Sequence, residues 1–378
     1  MFLFQGISAW PTVALRLLAA LISISALFWG WRNLQINRIE IRNLYHLSHL
    51  TPIYRARLWR HFPLFNQRYK KWSWRHWLNQ LGHWLFKIIF PLSPSDIPHI
   101  SDKTRRALRL PASRDPRPLV FISSFWREHC ECGTFTARLL RAALATWFFL
   151  VITSVLMVVW PMESIPVRGI SPIWLWSWLL PFVLFQLLVF WVVDANRLLT
   201  RFIHQLSNLH GIWPKPLRIE HKEIFETPAH PCIDDWMDMV LIAKRTAAVN
   251  RLIYAPTVVL LIMIASRSSY FDNWPTPPSI VISFLLTAVI LLSSAISLRR
   301  AAEKARRIAL LRIDDYLLRP VEDNLKQDKL EMIRARVAAL STGAFSRYSE
   351  EPLVRALLLS LTGIGGSIIV DAINFSKF

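Results

Sequence analysis

The chain has 378 residues, 53% of them hydrophobic and only 19% charged, with 18 Trp and 22 Phe; its mean hydropathy is +0.31. Lys and Arg number 45 against 25 Asp and Glu, a formal charge of +20. Together these values exclude a disordered chain, a disulfide-stapled secreted domain and an ordinary soluble enzyme, and they suit apolar segments separated by basic loops. The cysteines, Cys130, Cys132 and Cys232, are odd in number and imply no disulfide framework.

The first apolar run, Trp10 to Trp31, is interrupted only by Arg16. The nine residues before it carry no charged side chain and aromatic residues end it, so it predicts an uncleaved span rather than a signal peptide. Arg16 lies near the outer end, from where its side chain is expected to snorkel. Ala142 to Trp160 is a clean second span, about 28 Å as a helix, closed by Pro161. Ile173 to Val193 is the third, with Trp174, Trp176 and Trp178 at its entry, Pro181 as a kink site and Gln186 as its one strongly polar group. A fourth runs from Ala247 to Ala265 if Arg251 snorkels to the interface, and a fifth from Ile280 to Leu298, closed by Arg299 and Arg300. Ala356 to Ile373, with Gly363, Gly365, Gly366 and Asp371, is either a sixth span or an interfacial helix.

Charge orients these spans. Residues 32–138, 194–251 and 299–355 hold 19, 8 and 13 Lys or Arg, whereas the connectors 161–172 and 266–279 hold one each, Arg168 and Arg267. The positive-inside rule then puts the N-terminus and short connectors outside and the basic regions in the cytosol. The expected architecture is an all-α integral membrane protein of five or six spans. It comprises the first span (1–31), a basic aromatic-rich loop (32–138), a hairpin (139–193), a loop (194–246), a second hairpin (247–298), cytosolic helices (299–353) and the last segment (354–378). Within the cytosolic parts, residues 194–209 extend the third span as helix, 215–232 suit a loop, and Asp234 and Asp235 mark a helix start. Leu330, Ile333, Val337, Leu340 and Ala344 recur at spacings of three and four, an apolar stripe suited to packing on the rest of the protein.

Chemistry-bearing motifs are sparse. His129, Cys130 and Cys132, joined by His230 and Cys232, are the candidate zinc ligands, but C-x-C and H-x-C spacings depart from zinc-site patterns and the bland reading is ordinary residues before a span. Asp234, Asp235 and Asp238 are the densest carboxylates, suited to a divalent cation or, as favoured, to a solvated helix start. No nucleophile elbow, phosphate-cradling glycine loop or zincin pair occurs, and no cofactor is implied. The second, third and fifth spans contain no ionisable residue, which disfavours an ion-coupled carrier. Residues 54–90 are basic without a single acid, and Trp59, Trp72, Trp74, Trp77 and Trp84 are interleaved among the cations. Beside so many spans, that pattern favours anionic lipid head groups over nucleic acid, with a docked basic subdomain as the alternative.

Several longer stretches carry a likeness: IDDW (Ile233–Trp236), LIAKRTAAVNRLIYAP (Leu241–Pro256), SRSSYFDNWPTPP (Ser266–Pro278), LRRAAEKAR (Leu298–Arg306) and GAFSRYSEEPLVRALLL (Gly343–Leu359). Over these the chain resembles a family of uncharacterised bacterial multi-pass inner-membrane proteins, with weaker likeness at Val192–Ile203. Members tend to have Gln where Glu351 stands and Pro where Ser360 stands. The resemblance implies a membrane protein without an assigned activity. The expected function is thus a non-enzymatic membrane component, a scaffold, signalling or pore-forming partner of a cytosolic protein. A membrane-bound enzyme acting on a lipid or other hydrophobic substrate, and a channel or transporter, are the alternatives.

Overall fold

The computed structural model describes residues 10–45, 119–121, 133, 135–159, 172–213, 231–266, 278–318 and 324–346. These form six helices: α1 (Trp10–Tyr45), α2 (Phe135–Val159), α3 (Pro172–Asn208), α4 (Pro231–Ala265), α5 (Pro278–Leu317) and α6 (Asn324–Ala338). A 3-10 turn follows at Gly343–Phe345. Two three-residue strands, β1 (Leu119–Phe121) and β2 (His210–Ile212), pair in parallel with Val120 opposite Gly211. The fold is all-α in class, and among the described residues five helices, α1 to α5, are long and apolar enough to cross a membrane. The last apolar segment, 354–378, lies outside the described residues.

The helices are longer than a bilayer needs. At 1.5 Å per residue, the 37 residues of α3 and 40 of α5 span about 55 and 60 Å, against about 30 Å of hydrocarbon. Helix α1 likewise passes the predicted loop boundary at Trp31 and continues to Tyr45, because residues 32–45 hold neither Gly nor Pro to stop it. Pro181 and Pro256 lie inside α3 and α4 without ending them.

Helix α3 is the hub, packing on α1, α2, α4 and α5. At membrane depth Phe182, Phe185, Leu188 and Val189 meet Ala19 and Ala26 of α1 and Val259, Leu260 and Met263 of α4. Phe284 of α5 stands edge-on to Phe182 and Phe185. The outward faces carry exposed apolar side chains such as Leu21, Val155 and Val289, a surface suited to lipid. The buried face of α1 is small, with Ala19, Ala20, Ser23, Ala26 and Gly30 at helical spacing, so the helix lies close to its neighbours. Arg16 falls on that face. It is only 5% exposed, so the protein itself covers this side chain.

Beyond the apolar bundle, at the end where α1, α3 and α5 finish, lies a second core. Ala195, Phe202 and Leu206 of α3, Ile233, Met237 and Ile242 of α4, and Ala302, Ala309 and Ile313 of α5 are joined there by Leu330, Ile333 and Val337 of α6. Ala344 and Phe345 of the 3-10 turn complete it. The predicted stripe therefore packs onto the rest of the protein, as periodicity required, although α6 stops at Ala338 and Ala344 arrives on the separate turn. This basic end is continuous with the membrane helices, whose spanning parts are taken as residues 10–31, 142–159, 173–193, 247–265 and 280–298.

Candidate functional site

Three arrangements concentrate polar side chains. The first is a charged collar where the apolar bundle meets the basic end. Arg138 and Arg141 stand in the opening turns of α2, and antiparallel packing brings them level with Asp194 near the close of the apolar part of α3. Arg138 Nε donates to Asp194 Oδ2 at 3.2 Å. Arg141 donates through Nε to Oδ1 at 2.6 Å and through Nη2 to Oδ2 at 2.9 Å, a bidentate fork. Arg138 also donates to the Trp191 carbonyl at 3.2 Å and lies 4.4 Å from the Trp191 ring centroid, a cation–π contact. All three charged groups are largely buried.

The second is a set of clamps within the basic end. Arg312 Nη1 donates to Asp235 at 2.7 Å and its Nη2 to the Ser207 carbonyl at 3.1 Å, tying α5 to the start of α4 and the end of α3. Trp213 Nε1 donates to Asp238 at 2.9 Å. Arg306 pairs with Glu303 at 2.8 Å, donates to the Leu340 carbonyl at 3.0 Å and lies 5.0 Å from the Phe345 ring centroid. The 3-10 turn docks on α4, where the Ala344 amide donates to Thr246 Oγ1 at 2.8 Å. Gly343, at φ +64°, sits against the Ala243 carbonyl.

The third is a polar seam at membrane depth. Ser279, Ser283 and Thr287 recur every four residues on α5 and are buried. Ser283 meets Thr153 of α2 at 3.5 Å, Gln186 of α3 donates to Thr287 at 3.2 Å, and nearer the basic end Asn196 donates to Ser294 at 3.0 Å. From Ser279 to Ser294 the seam extends about 22 Å. The Ser283 and Thr287 hydroxyls also bond the carbonyls one turn back, at 2.8 Å each, so the seam mixes interhelical and local bonds.

The predicted site residues fare unevenly. His129, Cys130, Cys132 and His230 lie outside the described residues, as do Trp59, Trp72, Trp74, Trp77 and Trp84. Cys232 opens α4, completely buried beside Ile233. Burial, and then the neighbouring carboxylates of Asp235 and Asp234, push its thiol well above the usual range, so the residue is held as a neutral thiol. Among the described residues no three His, Cys, Asp or Glu side chains converge in a manner suited to a metal ion. Arg251 is exposed on α4. Asp234, Asp235 and Asp238 are not a solvated helix start: all three are buried, because the end of α3 and the length of α5 cover the opening turns of α4.

Sequence reasoning passed over the collar and the seam. The signal for the collar was present in RLLR entering one span and VVDAN leaving the next, since consecutive helices packed antiparallel set those ends level. Small hydroxyl side chains at intervals of four on α5 were likewise legible but disappear inside an apolar average. Compared with known proteins, the chain matches no family model, no curated protein and no solved structure.

Proposed function

We propose that this chain is a non-enzymatic multi-pass component of a bacterial inner membrane, a scaffold or signalling subunit, with its N-terminus outside and its basic end presented to a cytosolic protein. The observation that carries the reading is continuity. Helices α3 and α5 contribute to both the membrane-depth core and the basic-end core, so a displacement at one end is transmitted to the other without a hinge loop between them. The clamps on Asp235 and Asp238, and the turn docked on Thr246, hold the basic end to those helices. Its outer face offers cations, with Arg300, Lys304 and Arg307 exposed along α5, suited to an acidic partner. The charge asymmetry of the loops supports the orientation, and the likeness to bacterial multi-pass proteins supports the compartment.

Photo-crosslinkers placed at Lys304, Leu311 and Glu331 in the full chain in its native membrane test this reading. Crosslinks to one cytosolic protein from these positions, but not from lipid-facing Val155, are expected. Purified protein that turns over a lipid substrate, with no such crosslink, overturns it. The polar seam favours one second reading, a pore within the α2, α3 and α5 interface. Ion flux through reconstituted vesicles that Thr287→Val abolishes would establish that reading in place of the first.

A further inference from the structure

We propose that the cytosolic partner lays an acidic amphipathic helix along the exposed stripe of α5, with its carboxylates against Arg300, Lys304 and Arg307 and its apolar side chains against Leu311 and Leu318. The docking presupposes the partner-facing reading of the basic end. The five residues are spaced 4, 3, 4 and 7 apart, so at about 100° per residue they fall within a sector about 60° wide. All five are exposed, Leu311 to 67% and Leu318 to 85%, while the other faces of α5 pack on α3, α4 and α6. Leu318 continues the helical pattern, its amide donating to the Asp314 carbonyl at 3.0 Å. Among the described residues Arg300, Lys304 and Arg307 make no ion pair. Glu303, the one acid of α5 between Ile296 and Leu311, is engaged by Arg306 at 2.8 Å. Three cations without a counter-charge therefore stand on one side of a helix within about 10 Å.

Two other occupants fit the stripe less well. Anionic lipid meets only its first part. The span of α5 ends at Leu298, and the head-group layer beyond the hydrocarbon is about 5–8 Å deep on each side. Leu311 and Leu318 lie about 17 and 27 Å beyond Arg300 along the helix. Even at a tilt of about 40° Leu311 stays about 13 Å below Arg300, out of reach of lipid. A second copy of the chain fits worse. Copies in one membrane share one orientation, so a two-fold contact between α5 helices runs parallel and sets each cation against itself, Arg300 on Arg300 and Arg307 on Arg307. A partner helix suits the shape. The stripe is narrow and about five turns long, and a second helix follows such a ridge with anchors at i, i+3, i+4 and i+7, the spacing α5 itself shows. Acids level with the cations and apolar groups level with the leucines fix both the register and the direction of that helix, with its acidic end nearer the membrane.

The test keeps the full chain in its native membrane, with photo-crosslinkers at Lys304, Arg307, Leu311 and Leu318 on the stripe and at Glu331 on α6. Mass spectrometry identifies the captured protein and the crosslinked residues. One helical segment of one cytosolic protein is expected, reached beside carboxylates from Lys304 and Arg307 and beside apolar side chains from Leu311 and Leu318. That protein, purified, is then titrated against the full chain in detergent. Arg307→Glu and Leu311→Ser, both at exposed positions, should each weaken binding about tenfold. Changing the carboxylate captured beside Arg307 to Lys should restore binding to Arg307→Glu. Arg336→Glu, the same change of charge on the exposed face of α6, should alter binding less than about twofold. Capture from Glu331 alone overturns the helix on α5 and leaves the partner reading standing, whereas no capture from any position overturns both. Stripe crosslinks confined to lipid, to a second copy or to the chain itself, unchanged binding in Arg307→Glu or Leu311→Ser, or an equal loss in Arg336→Glu would each overturn the proposal.

Discussion

Replacing Gly343 by Ala strikes the contact that ties the 3-10 turn to α4. A Cβ built on Gly343 would stand 2.3 Å from both the Ala243 carbonyl oxygen and Thr246 Oγ1, and 2.9 Å from the Ala247 nitrogen. Two of those atoms are helix backbone and cannot step aside, so the turn must lift. The backbone at φ +64° adds about 1–2 kcal/mol for any residue with a Cβ. Lifting forfeits the bond from the Ala344 amide to Thr246, worth about 1 kcal/mol. It also exposes part of Phe345, whose complete burial is worth about 1.5–3 kcal/mol. The expected local destabilisation is about 3–5 kcal/mol, concentrated on residues 343–346 and not on the membrane helices. Hydrogen exchange of the Ala344 amide in the detergent-solubilised full chain reads it directly. Protection should fall more than about 100-fold in Gly343→Ala, while amides of α3 at membrane depth stay as they were. Thr246→Val, which leaves the turn in place but removes its acceptor, should give a smaller loss. Wild-type protection of Ala344 in Gly343→Ala would refute the close docking from which the magnitude was worked.

The remaining predictions concern charge, polarity and orientation. Asp194→Asn leaves two buried guanidinium groups without their carboxylate and should destabilise the protein by about 3–5 kcal/mol, read as a large fall in melting temperature; a change of a degree or two would mean that the collar is solvated. Gln186→Leu should cost no more than about 1 kcal/mol in the same assay, because polar bonds between membrane helices are individually modest. Cys232, in a chain with Cys130 and Cys132 changed to Ser, should resist maleimide until the protein is denatured. Its raised thiol pKa also means that moving from pH 7 to 9 should not release a reactive thiolate, and rapid labelling at pH 9 in the folded protein would contradict its burial. A topology reporter at Ser268 should read outside and one at Asn208 inside, and an inside signal from Ser268 would reverse the orientation argued from charge.

The five spans were legible because an apolar run of bilayer length has few other stable fates, and the stripe from Leu330 was legible because its period needs a partner surface. What failed were judgements about single polar residues. Arg16 sits near the end of an apolar run, which suggested an outward cation. Its burial follows from the helical face it shares with Ala20 and Ser23, and that face is settled only by where α3 and α4 lie. Asp234, Asp235 and Asp238 looked like solvated helix-start residues because local sequence says nothing of Arg312, 77 positions beyond Asp235, or of Trp213 on the preceding strand connection. Hydropathy reports an average along the chain, whereas burial of a charge is decided by a partner distant in sequence.

That distinction bears on how the basic end stays joined to the bundle. A buried charge pair adds little net stability, because desolvation offsets most of the attraction, but removing one partner is costly. Such pairs therefore act chiefly by excluding alternative arrangements. Asp194 with Arg138 and Arg141 fixes the level of α2 on α3. Arg312 with Asp235 and the Ser207 carbonyl fixes three helix segments at once. A one-turn slip of α5 would carry Arg312 about 5.4 Å from both acceptors and, on the same rigid helix, carry Thr287 away from Gln186 and Ser294 from Asn196. The membrane-depth bonds and the basic-end clamps thus specify the same register on α3 and α5. Each set is individually modest, and together they make a slip costly at both ends, so the two cores have to move as one.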